Sequence, residues 1–380
     1  MLALALSTRV PGAAAAGPVV GPPQTVFDWS TQACEPNHIP DLPARAFRDD
    51  QGRVQLIMAH FRTRRLVGPN LGHLSVDCTP TFSSSQDADP AAYNDREWIA
   101  SIWTNDGKNV DALVHDEYQG NQHPGMCPQA SYFPCWYNAI TFARSTDGGN
   151  SFTQPAPPRQ LVASTPYPYV AGAGPYGYFE PSNIVQSPTD GDYYAVMRTE
   201  EYGLQGVGTC LMRTPNPDNP ASWRGWSGSG FAVQFVDPYQ SPAPLPSGHV
   251  CAPVAFGNIA TMHESLTYNT YLPRYLLAGS ATFWNSGLHA QVPGFYYSTS
   301  KDLIHWGQPT LLMRGPLPWT YQCGGADPIE YPSLIDPTSA SRTFSTTGRQ
   351  PYLYYTRLHY RDCQATLDRD LVRVPLQLSK

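Results

Sequence analysis

Charge is scarce in this chain: Asp, Glu, Lys and Arg make up 14% of its 380 residues. No extended basic run occurs, and 24 basic against 30 acidic residues leave a formal charge of −6. Phosphate backbones are held by clustered Lys and Arg, so no nucleic-acid partner is expected. Long apolar runs are missing too. Nothing approaches the roughly eighteen consecutive apolar residues of a membrane span, so no membrane insertion is expected. Proline-free stretches are short, because 39 prolines are spread along the chain, and that argues against a helical domain. No two cysteines have the spacing of a zinc ribbon or a dithiol redox motif. No linker divides the chain, so one domain is expected.

What the chain does have is proline, 31 glycines, 23 tyrosines and 9 tryptophans. That mixture suits many short strands joined by tight turns, in a large all-β architecture that closes on itself. The 8 cysteines read as four disulfides formed in an oxidising compartment. Cys127 and Cys135 flank a loop rich in Pro, Tyr and Trp and are expected to pair locally. The partners of the other six stay open. The chain starts with Leu2-Ala-Leu-Ala-Leu6, then Ser7-Thr8-Arg9 and a stretch of alanines, similar to the end of a secretory signal. Residues 1–25 are read as a signal-like or disordered leader, and 26–380 as the single domain of a secreted, monomeric protein.

One strand pattern recurs five times. Asp41 to Phe47 leads through Asp49-Asp50-Gln51-Gly52 into Val54 to His60, and Trp98 to Trp103 through Asn105-Asp106-Gly107 into Val110 to Tyr118. Glu180 to Val185 leads through Asp190-Gly191 into Tyr193 to Arg198. His263 to Tyr268 precedes Tyr275 to Ala278, and Glu330 to Ile335 precedes Pro351 to Arg357. Asp-Gly between alternating runs marks a hairpin, and a repeat of this length marks a propeller. The expected fold is all-β: a five-bladed β-propeller of four-stranded antiparallel blades, the last completed by Asp370 to Leu376. Pro-rich stretches at 155–168 and 238–246 read as connections between blades.

Ser145-Thr-Asp147-Gly-Gly-Asn-Ser151-Phe152 resembles the Asp-box hairpin of sialidase-like propellers. Ser298-Thr-Ser300-Lys-Asp302-Leu303-Ile-His-Trp306 is similar to a strand pair of the five-bladed arabinanase, xylosidase and fructosidase glycosidases. As architecture, the resemblance extends from about Asp41 onward. It implies a hydrolase that cleaves a poly- or oligosaccharide, with inversion, using acids carried to the axis by inner strands. Asp41, Glu180, Glu264 and Glu330 stand at the matching strand starts. The sequence departs from the family pattern at Pro40-Asp41-Leu42-Pro43, where Asp-Pro is usual, and at Glu180, where aspartate is usual. Glycosidic cleavage needs a protonated acid and an ionised partner, and clustered acids shift one another's pKa values toward that division. Asp41 is assigned as general base or nucleophile, Glu180 as the orienting or tuning group, Glu264 as general acid, and Glu330 as a contact to a sugar hydroxyl. Each has a plainer reading, a turn residue or a satisfied core carboxylate.

In the second repeat, His115-Asp116-Glu117-Tyr118 ends an apolar strand, and this ionisable run is read as substrate contact, with Glu117 the alternative general acid. A solvated strand tip would also explain it. His263 adjoins Glu264. Arg45, Arg198 and Arg357 lie where they could pair with the acids or an acidic sugar. Trp284 and Trp319, with Trp136, Tyr178 and Phe179, are candidate platforms for sugar rings. No cofactor is required; a structural calcium ion on the axis is compatible with such a ring but not demanded by any spacing. Two other functions fit the sequence. One is a polysaccharide lyase using His115, Tyr118, His263 and Arg198. The other is a glycan-binding propeller without chemistry.

Overall fold

The computed structural model describes residues 18–240 and 245–380, so most of the expected leader and part of the 238–246 connection lie outside the described residues. The fold is all-β; the α-helices among the described residues are two single turns, Trp29–Gln32 and Phe256–Ile259. Arg45–Arg48, Val54–Met58, Arg62–Asn70 and His73–Ser83 form one antiparallel meander. Arg96–Trp103, Val110–Gln119, Trp136–Ser145 and Leu161–Ala163 form the next. Tyr176–Phe179 runs parallel to Trp136–Ser145 and so fuses that meander to a third one. The third is built from Val185–Gln186, Tyr193–Thr199, Gly208–Thr214 and Arg224–Gly225. Ser265–Asn269, Arg274–Asn285, Ala290–Ser300 and Thr310–Arg314 follow.

In the last sheet Ile329–Ile335, Tyr352–Arg361 and Gln364–Pro375 are joined by Gln24–Phe27 from the other end of the chain. Asp370 to Leu376 therefore does not complete this sheet, as the repeat suggested; the outer place belongs to Gln24–Phe27. That strand straddles the expected boundary at residue 25, and Val19 also bridges Leu376. Sealing the ends of the chain into one sheet covers an edge that would otherwise be open to another chain.

Inner segments of successive meanders are tied edge to edge near the axis. Arg45 Nε donates to the Ala100 carbonyl at 2.6 Å, and Ser101 Oγ donates to the Ser182 carbonyl. Ser265 Oγ donates to Asn183 Oδ1 at 3.4 Å and accepts from Leu334 N at 2.9 Å. Ser333 Oγ donates to the Ala44 carbonyl at 2.7 Å, which brings the chain of contacts back to its first member. These serines are fully buried. A hydroxyl there satisfies a neighbour's backbone where ladder bonds end, a duty that an apolar residue could not perform.

The serine-rich hairpins behave as turn chemistry predicts. Asp147 accepts from Ser145 Oγ, Ser151 N and Ser151 Oγ, and Phe152 is buried. Asp302 accepts from Ser300 Oγ, Ile304 N and His305 N, and Trp306 is buried. Gly149 lies at φ 81° hard against the Phe47 ring, where a side chain would collide, so the first hairpin docks on the preceding meander. The disulfides are Cys34–Cys78, Cys127–Cys135, Cys210–Cys251 and Cys323–Cys363, so the local pair is the one expected. Alkylation of the unfolded, unreduced protein is expected to add no mass; addition at any cysteine would break this assignment.

Candidate functional site

The backbone is irregular at or beside two of the acids. Glu180 has a left-handed φ of 35°, and the Pro181 that follows offers no N–H, so the third meander begins as strand only at Val185. Tyr331, after Glu330, has φ 59°, and the ladder slips between Glu330 and Ser333. Backbone bent in this way is costly and turns side chains out of the ladder, here toward the axis.

Glu117 and Glu330 each lie within electrostatic reach of Asp41 and Glu180, and Glu330 also of Glu264. Asp41 accepts from Arg369, has Tyr331 Oη at 3.5 Å, and faces His60 Nε2 at 3.9 Å. Burial pushes Glu117 up to about 8, against hydrogen bonds from Tyr132 (2.8 Å) and Gln119 (2.7 Å), and the charges of Asp41 and Glu180 add to the rise. Burial also pushes Glu330 up to about 8, reinforced by Glu180 and Asp41. Glu180 goes the other way. Burial would raise it, but His263, 3.4 Å from its Oε2, together with His115 and Arg198, holds it below the usual carboxylate range.

The two histidines divide similarly. Burial pushes His115 down to about 4, so it is neutral. Its Nε2 meets Asn138 Oδ1 at 2.9 Å, which assigns the proton there and leaves Nδ1 as a bare acceptor 3.7 Å from Glu117 Oε1. Burial lowers His263, but Glu264 and then Glu180 outweigh it and raise the group overall. Three buried polar atoms here have no partner: His115 Nδ1, His263 Nε2 and Trp98 Nε1. Two of the three face carboxylates beyond hydrogen-bond geometry: His263 Nε2 faces Glu180 and His115 Nδ1 faces Glu117.

Other expected site residues lie differently. Glu264 is anchored: Oε2 accepts from His263 N at 2.9 Å and Oε1 from Ser280 N at 2.6 Å. Both oxygens accept from backbone donors, which holds the carboxylate in place, and its charge is among those that raise Glu330. The run at 115–118 is split by strand alternation. His115 and Glu117 face the acids, while Asp116 is buried toward Glu97 and Asp95. Tyr118 donates to the Ala88 carbonyl and packs against His123 and Tyr169. Arg45 is entirely buried and bonded to backbone carbonyls. Arg198 pairs with Glu200 beside the Phe179 ring. Trp284 and Trp319 are each 60% exposed. Trp284 lies four residues past Ser280, which holds Glu264, and Trp319 is in the turn Pro318–Thr320 that leads toward Glu330. Trp136, with Tyr132 at 4.7 Å and Phe179 at 5.0 Å, forms an aromatic wall beside Glu117. Tyr132, Arg369, Asn138 and Tyr331 were not expected. Only Tyr331 stands in the repeat, beside Glu330, and only its place there hinted at a role.

Among the described residues, His359, Asp368 and Asp370 form a group with ligand atoms close enough to hold a cation. The atoms are already engaged: His359 bridges Asp327 (2.8 Å) and Asp370 (2.9 Å), and Arg361 pairs with Asp368.

No family model and no curated protein sequence matches this chain. Solved structures do resemble it. The α-L-arabinanase of Cellvibrio cellulosa complexed with arabinohexaose is 11% identical at a TM-score of 0.46, covering 84% of this chain and 86% of that one. A putative glycosidase from Bacteroides thetaiotaomicron is 11% identical at 0.47, covering 93% and 97%. A β-fructofuranosidase of Bombyx mori is 11% identical at 0.47, covering 90% and 62%. These are glycosidases of the classes that the sequence motifs resemble. Likeness at this level assigns no residue and no reaction, which rest on the site's own geometry.

Proposed function

We propose that the chain is a secreted five-bladed propeller glycosidase that cleaves a poly- or oligosaccharide with inversion. Five four-stranded blades are supported by the meanders and by the chain of axial contacts that returns to its start. Secretion is supported by four disulfides; among the described residues no helix is long and apolar enough to cross a membrane.

One observation carries the catalytic reading: two carboxylates within electrostatic reach of each other are pushed in opposite directions, Glu117 up to about 8 and Glu180 below its ordinary range. That division supplies a proton donor beside an ionised partner. Glu117 is the general acid in this reading, replacing Glu264. Asp41, oriented by Arg369, is the base that activates water, and Glu180 with His263 tunes the field between them. Against the lyase alternative, Tyr118 lies on the strand face opposite His115, and Arg198 is paired with Glu200.

Incubation with plant, algal and bacterial polysaccharides, with products read by mass, tests the reaction. Hydrolysis adds one water per cut. An unsaturated product absorbing in the ultraviolet would mean a lyase, and binding without product a glycan-binding module. Proton NMR of the first-formed anomer tests inversion, which places the two carboxyl groups about 6.5 to 9.5 Å apart. Asp41→Asn is expected to lower turnover about 10²- to 10⁴-fold with little change in melting temperature, because the amide keeps the shape but takes no proton from water. Unchanged hydrolysis by that variant would remove Asp41 from the mechanism.

A further inference from the structure

Beneath the acids the axis is occupied by a side chain. Arg45 comes from the first meander and is 2% exposed. Its Nε donates to the Ala100 carbonyl at 2.6 Å, and Nη1 to Ser333 Oγ at 3.2 Å. Its Nη2 donates to the Glu264 carbonyl at 2.7 Å and approaches the Pro181 carbonyl at 3.4 Å. One guanidinium thus reaches the inner segments of every other meander, two of them at the residue that bears a site carboxylate or next to it. We infer that Arg45 is a built-in axial cation, a positioning residue that does the work an axial metal ion would do in such a ring.

The donor set supports this inference. A calcium ion on the axis would need inward-facing oxygens, and the carbonyls of Ala100, Pro181 and Glu264 are the oxygens directed there. All three are already taken by N–H donors. An ion in that place would also sit against a fixed positive charge, so calcium does not fit there. Burial lowers Arg45 to about 9, opposed by the charges of Glu180 and Glu264, so the guanidinium stays charged at neutral pH. A planar fork suits the task, because its donors diverge toward separate strands, whereas a lysine ammonium is a point charge on a flexible stem.

The consequences fall on Glu180 and Glu264. Arg45 fixes the backbone at Pro181, next to the strained Glu180, and at Glu264 itself, and it places a positive charge under both carboxylates. The inference deepens the glycosidase reading but can be tested without a substrate. Isothermal calorimetry with calcium chloride, and melting curves with EDTA or millimolar calcium, address the metal in the wild-type protein. No binding and unchanged melting temperatures are expected; one tightly bound calcium per chain, or destabilisation by EDTA, would overturn the inference. Carboxyl-carbon NMR of protein labelled at Glu addresses the charge. In Arg45→Met the titration midpoint of Glu180 should rise by about one unit or more, while in Arg45→Lys it should stay within a few tenths of wild type although the melting temperature falls. A midpoint that moves equally in both variants, or in neither, would reduce Arg45 to packing. If Arg45→Met does not fold, Arg45→Gln, also neutral, takes its place in the comparison, and the calcium titration is unaffected. If the glycan screen yields no product, these readouts are unaffected, so the two readings fail separately.

Discussion

Glu117→Gln is expected to lower turnover on unactivated glycosides about 10²- to 10⁴-fold, the usual contribution of a positioned proton donor. Aryl glycosides with a good leaving group should lose far less, because they need little protonation to depart. The amide keeps the hydrogen bond from Tyr132 and the wall formed by Trp136 and Phe179, so the fold should survive. The wild-type rate should decline as pH rises through about 8, where Glu117 gives up its proton, and this decline should be absent from the variant. Glu264→Gln separates the two candidate acids. It sets an amide NH₂ against the backbone N–H of His263 or Ser280, so its main effect should be a lower melting temperature with no dependence on leaving group. If Glu264→Gln shows the leaving-group signature and Glu117→Gln does not, the acid is Glu264, as the strand starts alone suggested.

The two candidate acids show what a strand-start pattern can and cannot reveal. The hairpins were legible because Asp-Gly and Ser-x-Asp carry their turn chemistry locally, within a few residues. Acids at Asp41, Glu180 and Glu330 were legible because the repeat placed them at equivalent points. The direction of each carboxylate was not. Glu264 looks like its counterparts in sequence, yet the N–H groups of His263 and Ser280 claim it, and Gly279 leaves the space that it fills. The run at 115–118 read as one functional tip, although two-residue alternation alone would have split His115 and Glu117 from Asp116 and Tyr118. Arg369 and Tyr132 were illegible for another reason: they reach the site across folded distance, from segments with no motif of their own. The axial serines lay in plain sight, as Ala100-Ser101, Glu264-Ser265 and Pro332-Ser333. Their value as backbone partners appears only once neighbouring inner segments stand side by side.

The split of the 115–118 run has a measurable result in stability. Asp116 stands opposite Glu97 in the ladder, and both are 1% exposed. Burial pushes Glu97 up to about 8, against hydrogen bonds from Gln154 and Thr141. Burial, then the charges of Glu97 and Asp95, push Asp116 well above its ordinary value. Glu117 and Glu330 rise to about 8 as well. A carboxyl whose folded pKa is raised binds more protons folded than unfolded between about 4.5 and 8, so its effect is to make stability fall as pH climbs through that window, by up to about 1.4 kcal/mol per pH unit for each group. The raised histidines, His263 and His359, act with the same sign, since their stabilisation is lost as pH passes their folded values. His115 and His38, lowered to about 4, and His60, also lowered, all by burial, oppose them below the ordinary histidine value of 6.5. The melting temperature should therefore change less below pH 6.5 and fall steadily from there toward pH 8. Glu97→Gln should flatten that fall by one group's share, since an amide can still accept from Gln154 and can donate to the unpartnered Oδ1 of Asp116. A wild-type melting temperature that holds or rises from pH 6 to 8, or a Glu97→Gln slope equal to that of wild type, would mean that these carboxyls are not protonated in the folded protein.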